Sequence, residues 1–235
     1  MEAQSQDVDS REEESKSCGA LIKSITQQLC SRVCKDPKWI FLFTGASQAN
    51  LIAYLYGSYL VLWLNSFVAS GAIEGPKEVE MLFSRISLVS IPSTFIVIFA
   101  SGYFSDIIKP VYMIAPAFFC RSIVTYCFKL IDEPTSWLTF ALSAAMIACS
   151  VVQVVSLESL FMKNLPGDVR GAMTILLAFF MSLAGLLYNG VGGPVFDSLG
   201  PASPFVLVSA FDFAFCLFAI MLGCSGYLDF PYDIE

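Results

Sequence analysis

Six long apolar segments follow Pro37, and they constrain the fold of this chain more than any other feature. They cover about residues 39–65, 82–104, 111–131, 137–162, 171–193 and 203–225. As a helix, each is long enough to cross roughly 30 Å of hydrocarbon at about 1.5 Å per residue. The sequence therefore predicts an all-α polytopic membrane protein, with six transmembrane helices in a domain spanning residues 37–228.

The composition fits a chain surrounded by lipid rather than water. Charged residues make up only 14% of the 235 residues, and hydrophobic residues make up 56%. A soluble domain carries about 25% charged residues, so this chain lacks the polar side chains to cover a core in water. We expect an integral, multi-pass protein of the lipid bilayer, either in the plasma membrane or in an organelle membrane.

Lysine and arginine are distributed unevenly among the connections between segments. The N-terminal region holds Arg11, Lys16, Lys23, Arg32, Lys35 and Lys38, and the second and fourth loops hold Lys109, Lys163 and Arg170. The opposite side holds Lys77 and Lys129. Because basic residues favour the cytoplasmic side, the sequence predicts that both termini face the cytoplasm.

The two terminal regions differ from the apolar segments. Residues 1–36 begin as an acidic tail and continue into a stretch where Leu21, Ile25, Leu29 and Val33 recur every four residues. This spacing predicts an amphipathic helix on the membrane surface. Residues 229–235 are expected to form a short cytoplasmic tail.

Several classes of function are disfavoured. The chain contains no histidine, which excludes histidine-based metal sites and acid–base catalysis by histidine. A net charge of −7 argues against a nucleic-acid partner, since such partners need clustered basic residues. Asp212 is the one acid at mid-depth in a segment, and it has no second acid beside it. We therefore expect no enzymatic activity, no cofactor and no metal.

A short motif lies between the second and third segments. Gly102 and Asp106 form a Gly-x-x-x-Asp pattern in a predicted cytoplasmic turn, which resembles the hallmark loop of the major facilitator superfamily. The family usually continues with a basic residue, a glycine and two more basic residues, whereas this chain has Ile107, Ile108, Lys109 and Pro110.

The stretch from Asn164 to Phe205 is similar to the tenth-to-twelfth helix region of the same family. Arg170-Gly171, Gly192-Gly193-Pro194 and Pro204-Phe205 follow in the family's order, and Gly185, Asn189 and Gly193 lie four residues apart. That spacing favours a small-residue face for close helix contact. Residues 37–228 thus resemble the C-terminal six-helix half of such a transporter.

The resemblance implies a 3+3 inverted repeat and a secondary transporter that moves a small organic solute by alternating access. In this family the path forms between two six-helix halves. The chain is therefore expected to pair with a copy of itself or with an N-terminal half, unless it is part of a longer gene product. An alternative is a non-transporting membrane subunit that scaffolds or regulates a larger complex.

Polar side chains recur along the first segment. Ser47, Asn50, Tyr54, Ser58 and Asn65 fall within about 80° of one another on a helix, at about 100° per residue. Ser143, Ser150 and Gln153 form a shorter stripe in the fourth segment. Such stripes predict hydrogen bonds between helices or a substrate path, since the resemblance implies that the first and fourth helices line that path. The path candidates are Ser47, Asn50, Tyr54, Ser58 and Gln153.

Two charged residues lie near the middle of their segments. Arg121 and Asp212 are expected to pair across the third and sixth segments, because a lone charge at this depth costs several kcal/mol. The pair is either a structural clamp or a coupling site. Glu158 lies near Lys163 and Arg170 and is expected to join a cytoplasmic gate with Asp106, where Gly102 allows a tight turn.

Overall fold

The computed structural model describes residues 37–109, 111–165 and 170–225 of the chain. The predicted acidic tail and surface helix (residues 1–36) and the C-terminal tail (residues 229–235) lie outside these ranges.

Helices make up most of the described residues. Pro37–Tyr54, a π-helical turn at Leu55–Tyr59 and Leu60–Ala69 form the first span and are together called α1. The others are α2 (Pro76–Ile107), α3 (Val111–Cys127, followed by a 3-10 turn at Phe128–Leu130), α4 (Trp137–Asn164), α5 (Arg170–Leu199) and α6 (Ser203–Cys224). Each of these six spans is long and apolar enough to cross a membrane, as the sequence predicts for a multi-pass protein.

Helices α2 and α5 extend furthest beyond the apolar segments that predict them. Helix α2 begins at Pro76, with proline in its first turn, and the Glu78 carboxylate accepts a 2.7 Å hydrogen bond from the Glu74 backbone N–H. Proline and acidic residues are both favourable at a helix start. Helix α5 continues through Pro194 to Leu199. A break in the helix at Pro194 would leave several backbone groups without hydrogen-bond partners in hydrocarbon. Continuing the helix costs less, because Pro194 removes only one N–H donor.

Four helices form the centre of the molecule. Helix α3 packs most extensively on α6 and α4, and α1 packs on α4 and α5. Helices α2 and α5 are outer helices, with their main contacts on α4 and α1 respectively.

The core has two apolar clusters, one towards each end of the spans. One includes Trp39, Phe43, Phe118, Phe161 and Phe215. The other includes Tyr59, Trp63, Phe128, Tyr188 and Phe205. On α3 and α6, Arg121 and Asp212 fall between the residues that contribute to the two clusters, so the charged pair lies at the level that separates them.

Helices α1 and α5 approach closely at two glycines. A Cβ added at Gly185 would meet the Tyr54 ring, and one added at Gly192 would meet the Tyr59 ring. Among the described residues, a Cβ at Gly193 would meet nothing within 4 Å, so the predicted contact face is confirmed at Gly185 and wrong at Gly193. Seven residues complete two helical turns to within about 20°, whereas eight overshoot by about 80°.

We expect Gly192→Ala to destabilise the protein and Gly193→Ala to leave it unchanged or slightly stabilised. Tyr59 is only 4% exposed and packs edge-on against Tyr188 at 5.3 Å, so it has little room to yield. Overpacking of this kind costs about 1–3 kcal/mol, while alanine in an open helical position gains up to about 1 kcal/mol over glycine. Thermal unfolding of the two purified variants in detergent measures the difference, and equal midpoints would contradict it.

The orientation of the spans in the membrane stays a prediction with a direct test. Lys77 and Lys109 are exposed and lie at opposite ends of α2, whose 32 residues extend about 48 Å at 1.5 Å per residue. In intact cells, an impermeant maleimide should label Lys77→Cys, and Lys109→Cys should react only after permeabilisation. Labelling of both from one side would overturn the six-span topology.

Candidate functional site

Arg121 and Asp212 form a buried ion pair at the centre of the helices. Both side chains are 0% exposed. Arg121 Nε donates to Asp212 Oδ2 at 2.7 Å, and Arg121 Nη2 donates to Asp212 Oδ1. Two parallel hydrogen bonds of this kind are the strongest arrangement between a guanidinium and a carboxylate. The pairing predicted from the sequence is confirmed.

The remaining guanidinium donors bind α1 and α4. Arg121 Nη2 also donates to Gln48 O at 3.0 Å, and Nη1 donates to Ala49 O at 3.2 Å and to Ser150 Oγ at 3.3 Å. An arginine has five N–H donors, and all five have an acceptor here. The side chain therefore ties α3 to α1, α4 and α6.

Gln48 completes the cluster and was missed by the sequence analysis. Its Nε2 donates to Asp212 Oδ1 at 2.9 Å. Gln48 follows Ser47 directly and therefore points about 100° away from the predicted polar stripe. The sequence does contain a signal for this contact. Gln48 carries an amide inside an apolar span, and a buried carboxylate needs such a hydrogen-bond donor.

Two serines reinforce the contact between α3 and α6 beside the ion pair. Ser122 Oγ donates to Ser209 O at 2.9 Å, and Ser209 Oγ donates to Ser122 O at 2.8 Å. A charge in hydrocarbon is costly, and a fully bonded, rigidly held pair offsets that cost. The geometry therefore favours a structural clamp over a coupling site.

The polar stripe of α4 lies inside the helix bundle. Gln153 is 0% exposed, and its Nε2 donates to Ala117 O on α3 at 3.3 Å. Ser143 is also fully buried, and Ser150 accepts from Arg121. Among the described residues, Ser143 Oγ and Gln153 Oε1 have no hydrogen-bond partner. Gln153, one of the predicted path residues, is thus placed in a helix–helix contact.

The predicted stripe of α1 is divided by the π-helical turn at Leu55–Tyr59. Such a turn adds about one residue and rotates the rest of the helix by about 100°. Ser47 faces a groove beside α5 and α6, and Tyr54 packs over Gly185 of α5. Asn50 is half-buried and Ser58 is exposed. The five stripe residues therefore do not share one continuous face.

Hydrogen bonding separates the members of this stripe further. The Asn65 amide donates to Val61 O of its own helix at 3.0 Å. Among the described residues, the side chains of Ser47, Asn50 and Ser58 have no hydrogen-bond partner. The predicted alternative of helix–helix hydrogen bonds is therefore not formed by these three side chains within the described part of this chain.

The predicted cytoplasmic gate is not formed by the described side chains. Asp106, Glu158 and Arg170 are exposed, and within the described ranges their side chains form no ion pair or hydrogen bond. Lys163 Nζ donates to Ser105 O at 3.1 Å, which ties the end of α4 to α2. Gly102 lies inside α2, with open space around an added Cβ, so it does not end the helix as the loop motif implies.

Comparison of the chain with protein-family models, with curated proteins and with solved structures finds no match. The likeness to the major facilitator superfamily therefore depends on the sequence motifs alone. Within the described residues, no group of three or more cysteine or acidic side chains is placed to hold a metal ion.

We expect the ion pair to be strongly coupled in a double-mutant cycle. Arg121→Met or Asp212→Leu alone leaves one buried charge without its partner, which costs about 3–5 kcal/mol. The double variant should lose less than either single variant, because no uncompensated charge remains. Denaturant titration in mixed micelles, followed by helicity, measures all four proteins. Additive losses would show that the two side chains act independently.

Proposed function

We propose that the chain is one six-helix half of a secondary transporter, similar to the major facilitator superfamily, which moves a small organic solute by alternating access. The second half is a copy of this chain or a separate N-terminal half. The observation that carries the proposal is the outer face of α1, defined here as Asn50, Ala53, Gly57, Ser58 and Asn65.

The outer face of α1 differs from the exposed faces of the outer helices. Leu62 is the one large apolar side chain among the exposed positions between Asn50 and Asn65. Helix α2 instead exposes Leu88, Ile91, Phe95, Ile96 and Phe99, and α5 exposes Ile175, Phe179, Leu183 and Leu186. Those two surfaces suit lipid, whereas the outer face of α1 suits water or another protein.

The cost of desolvation indicates that the outer face of α1 does not contact lipid. In hydrocarbon, an unbonded amide or hydroxyl costs free energy. Asn50 and Ser58 have no partner within the described part of the chain. A water-filled path between two halves, or a solute in that path, would supply their hydrogen bonds.

The helix pairings support an inverted repeat. Exchanging α1, α2 and α3 with α4, α5 and α6 converts the α1–α5 contact into the α4–α2 contact. It leaves the α3–α6 and α1–α4 contacts in place, and all four contacts are present. Two units of three helices related by a two-fold axis would produce these four contacts, although α3–α4 packs more extensively than its counterpart α1–α6, and α1–α2 and α5–α6 lack counterparts of similar extent among the described residues. The clamp at Arg121 would then hold the half as one rigid body while it rocks against the other.

Uptake by reconstituted protein tests the proposal. The full chain, alone and with candidate N-terminal halves, is placed in liposomes and assayed against a panel of radiolabelled neutral and charged solutes. We expect Asn50→Ala to reduce uptake at least tenfold, since it removes an amide from the path. Asn189→Ala is the matched control on the exposed surface of α5 and should transport normally. Equal uptake by both variants would contradict a path along α1.

A non-transporting membrane subunit is the second candidate. The isoleucines that replace the family's basic residues after Asp106, together with the absence of any bond from Asp106 to Glu158 or Arg170 in the described ranges, favour it. In this case the outer face of α1 would contact a partner protein permanently. Lack of uptake for every solute, with stable co-purification of a larger complex that Asn50→Leu disrupts, would establish this role instead.

A further inference from the structure

A groove of about 320 Å³ lies between α1, α5 and α6. Its α1 wall is formed by Thr44, Ser47, Gln48 and Leu51, which lie within about 100° of one another around the helix. The other walls are apolar or aromatic: Ala184, Leu187, Tyr188 and Val191 of α5, and Leu207 and Phe211 of α6. Its volume is near the lower limit of ligand sites, about 300 Å³, so an occupant would be small.

Three polar groups on the α1 wall have unused hydrogen-bonding capacity. Thr44 and Ser47 have no hydrogen-bond partner among the described residues, and Gln48 uses only its Nε2, on Asp212. Hydroxyls elsewhere in the spans usually bond a carbonyl of their own helix, as Thr125 does to Arg121 O at 2.8 Å and Ser182 to Ala178 O at 2.9 Å. The wall therefore presents two hydroxyls and the Gln48 Oε1 acceptor together.

The groove opens beside exposed apolar side chains of α5 and α6, a surface that suits lipid. Leu187, Val191 and Phe211 on its rim are 62%, 52% and 49% exposed. The Tyr188 hydroxyl is occupied, because it donates to Pro204 O at 3.1 Å. A ligand would enter from the bilayer, place its apolar part on α5 and α6, and direct a polar group to α1.

The charge state of such a ligand follows from the neighbouring ion pair. Gln48 contacts Asp212, whose charge is already balanced by Arg121. A carboxylate or ammonium group at this depth would add an uncompensated charge in a low dielectric, which is costly. An uncharged hydroxyl can both donate to Gln48 Oε1 and accept from Ser47 or Thr44.

We propose that the groove between α1, α5 and α6 is a binding site for a small, uncharged, membrane-dissolved amphiphile of the alcohol class. Thr44, Ser47 and Gln48 bind its hydroxyl group, and the apolar walls bind its chain. The site is separate from the path proposed along the outer face of α1, and its occupancy does not depend on transport.

Photolabelling of the full chain in phospholipid nanodiscs tests the site. The probe is an octan-1-ol that carries a diazirine on its chain, and the matched control is the same diazirine on octane. In the wild type, the alcohol probe should label peptides containing Leu187–Val191 and Leu207–Phe211 more strongly than the alkane probe does. Unlabelled octanol should displace it, and octanoate at the same membrane concentration should not.

Paired variants identify the polar wall. Thr44→Val combined with Ser47→Ala removes two hydroxyls that bond nothing in the described chain, and it should reduce labelling by the alcohol by on the order of threefold for each hydrogen bond lost. Labelling by the alkane should stay unchanged, which also shows that the variant is folded. Ser182→Ala removes a lipid-facing hydroxyl of α5 and should label like the wild type.

Three results would overturn the proposal. Equal labelling of the groove by alcohol and alkane would show that the polar wall binds nothing. Unreduced labelling in the double variant would place the alcohol elsewhere. Displacement by octanoate as effective as displacement by octanol would contradict the preference for an uncharged ligand.

Discussion

The buried pair of Arg121 and Asp212 is the interaction on which the rest of the structure depends. All five guanidinium donors have acceptors, and these come from α1, α4 and α6. A charge within a membrane is tolerated only when such bonds replace water. Each helix must therefore keep a fixed register at this level, with an aromatic-rich apolar cluster packed on either side. The four central helices are constrained to behave as one body.

The surfaces around this centre carry the remaining polar groups of α1. The ion pair and the Gln153 Nε2 have partners inside the bundle, so they stabilise the half, whereas Gln153 Oε1 has no partner among the described residues. The unsatisfied polar groups of α1 instead lie on two different surfaces, which the π-helical turn helps to separate. One surface is the outer face through Asn50 and Ser58, and the other is the groove beside Ser47. Gln48 connects the groove to the ion pair through a single amide.

Part of the candidate site could be predicted from the sequence because its physical cause is local. An arginine and an aspartate at similar depth in antiparallel spans have few alternatives to pairing in a low dielectric. The partners that complete the cluster could not be predicted in this way. Two of them are backbone carbonyls, Gln48 O and Ala49 O, and every residue carries such a group. The Gln48 side chain lies outside the predicted polar stripe, which passes through the neighbouring Ser47.

The sequence by itself determined the number of spans and the pairing of the central charges, because hydrophobic length and the cost of an isolated charge depend on composition and depth alone. Only the tertiary structure decided which glycines contact α1, how the α1 stripe divides, and whether Asp106 bonds to Arg170. Those properties depend on helix rotation, and a shift of one residue turns a side chain by about 100°. The π-helical turn introduces such a shift without a corresponding change in the hydrophobic pattern.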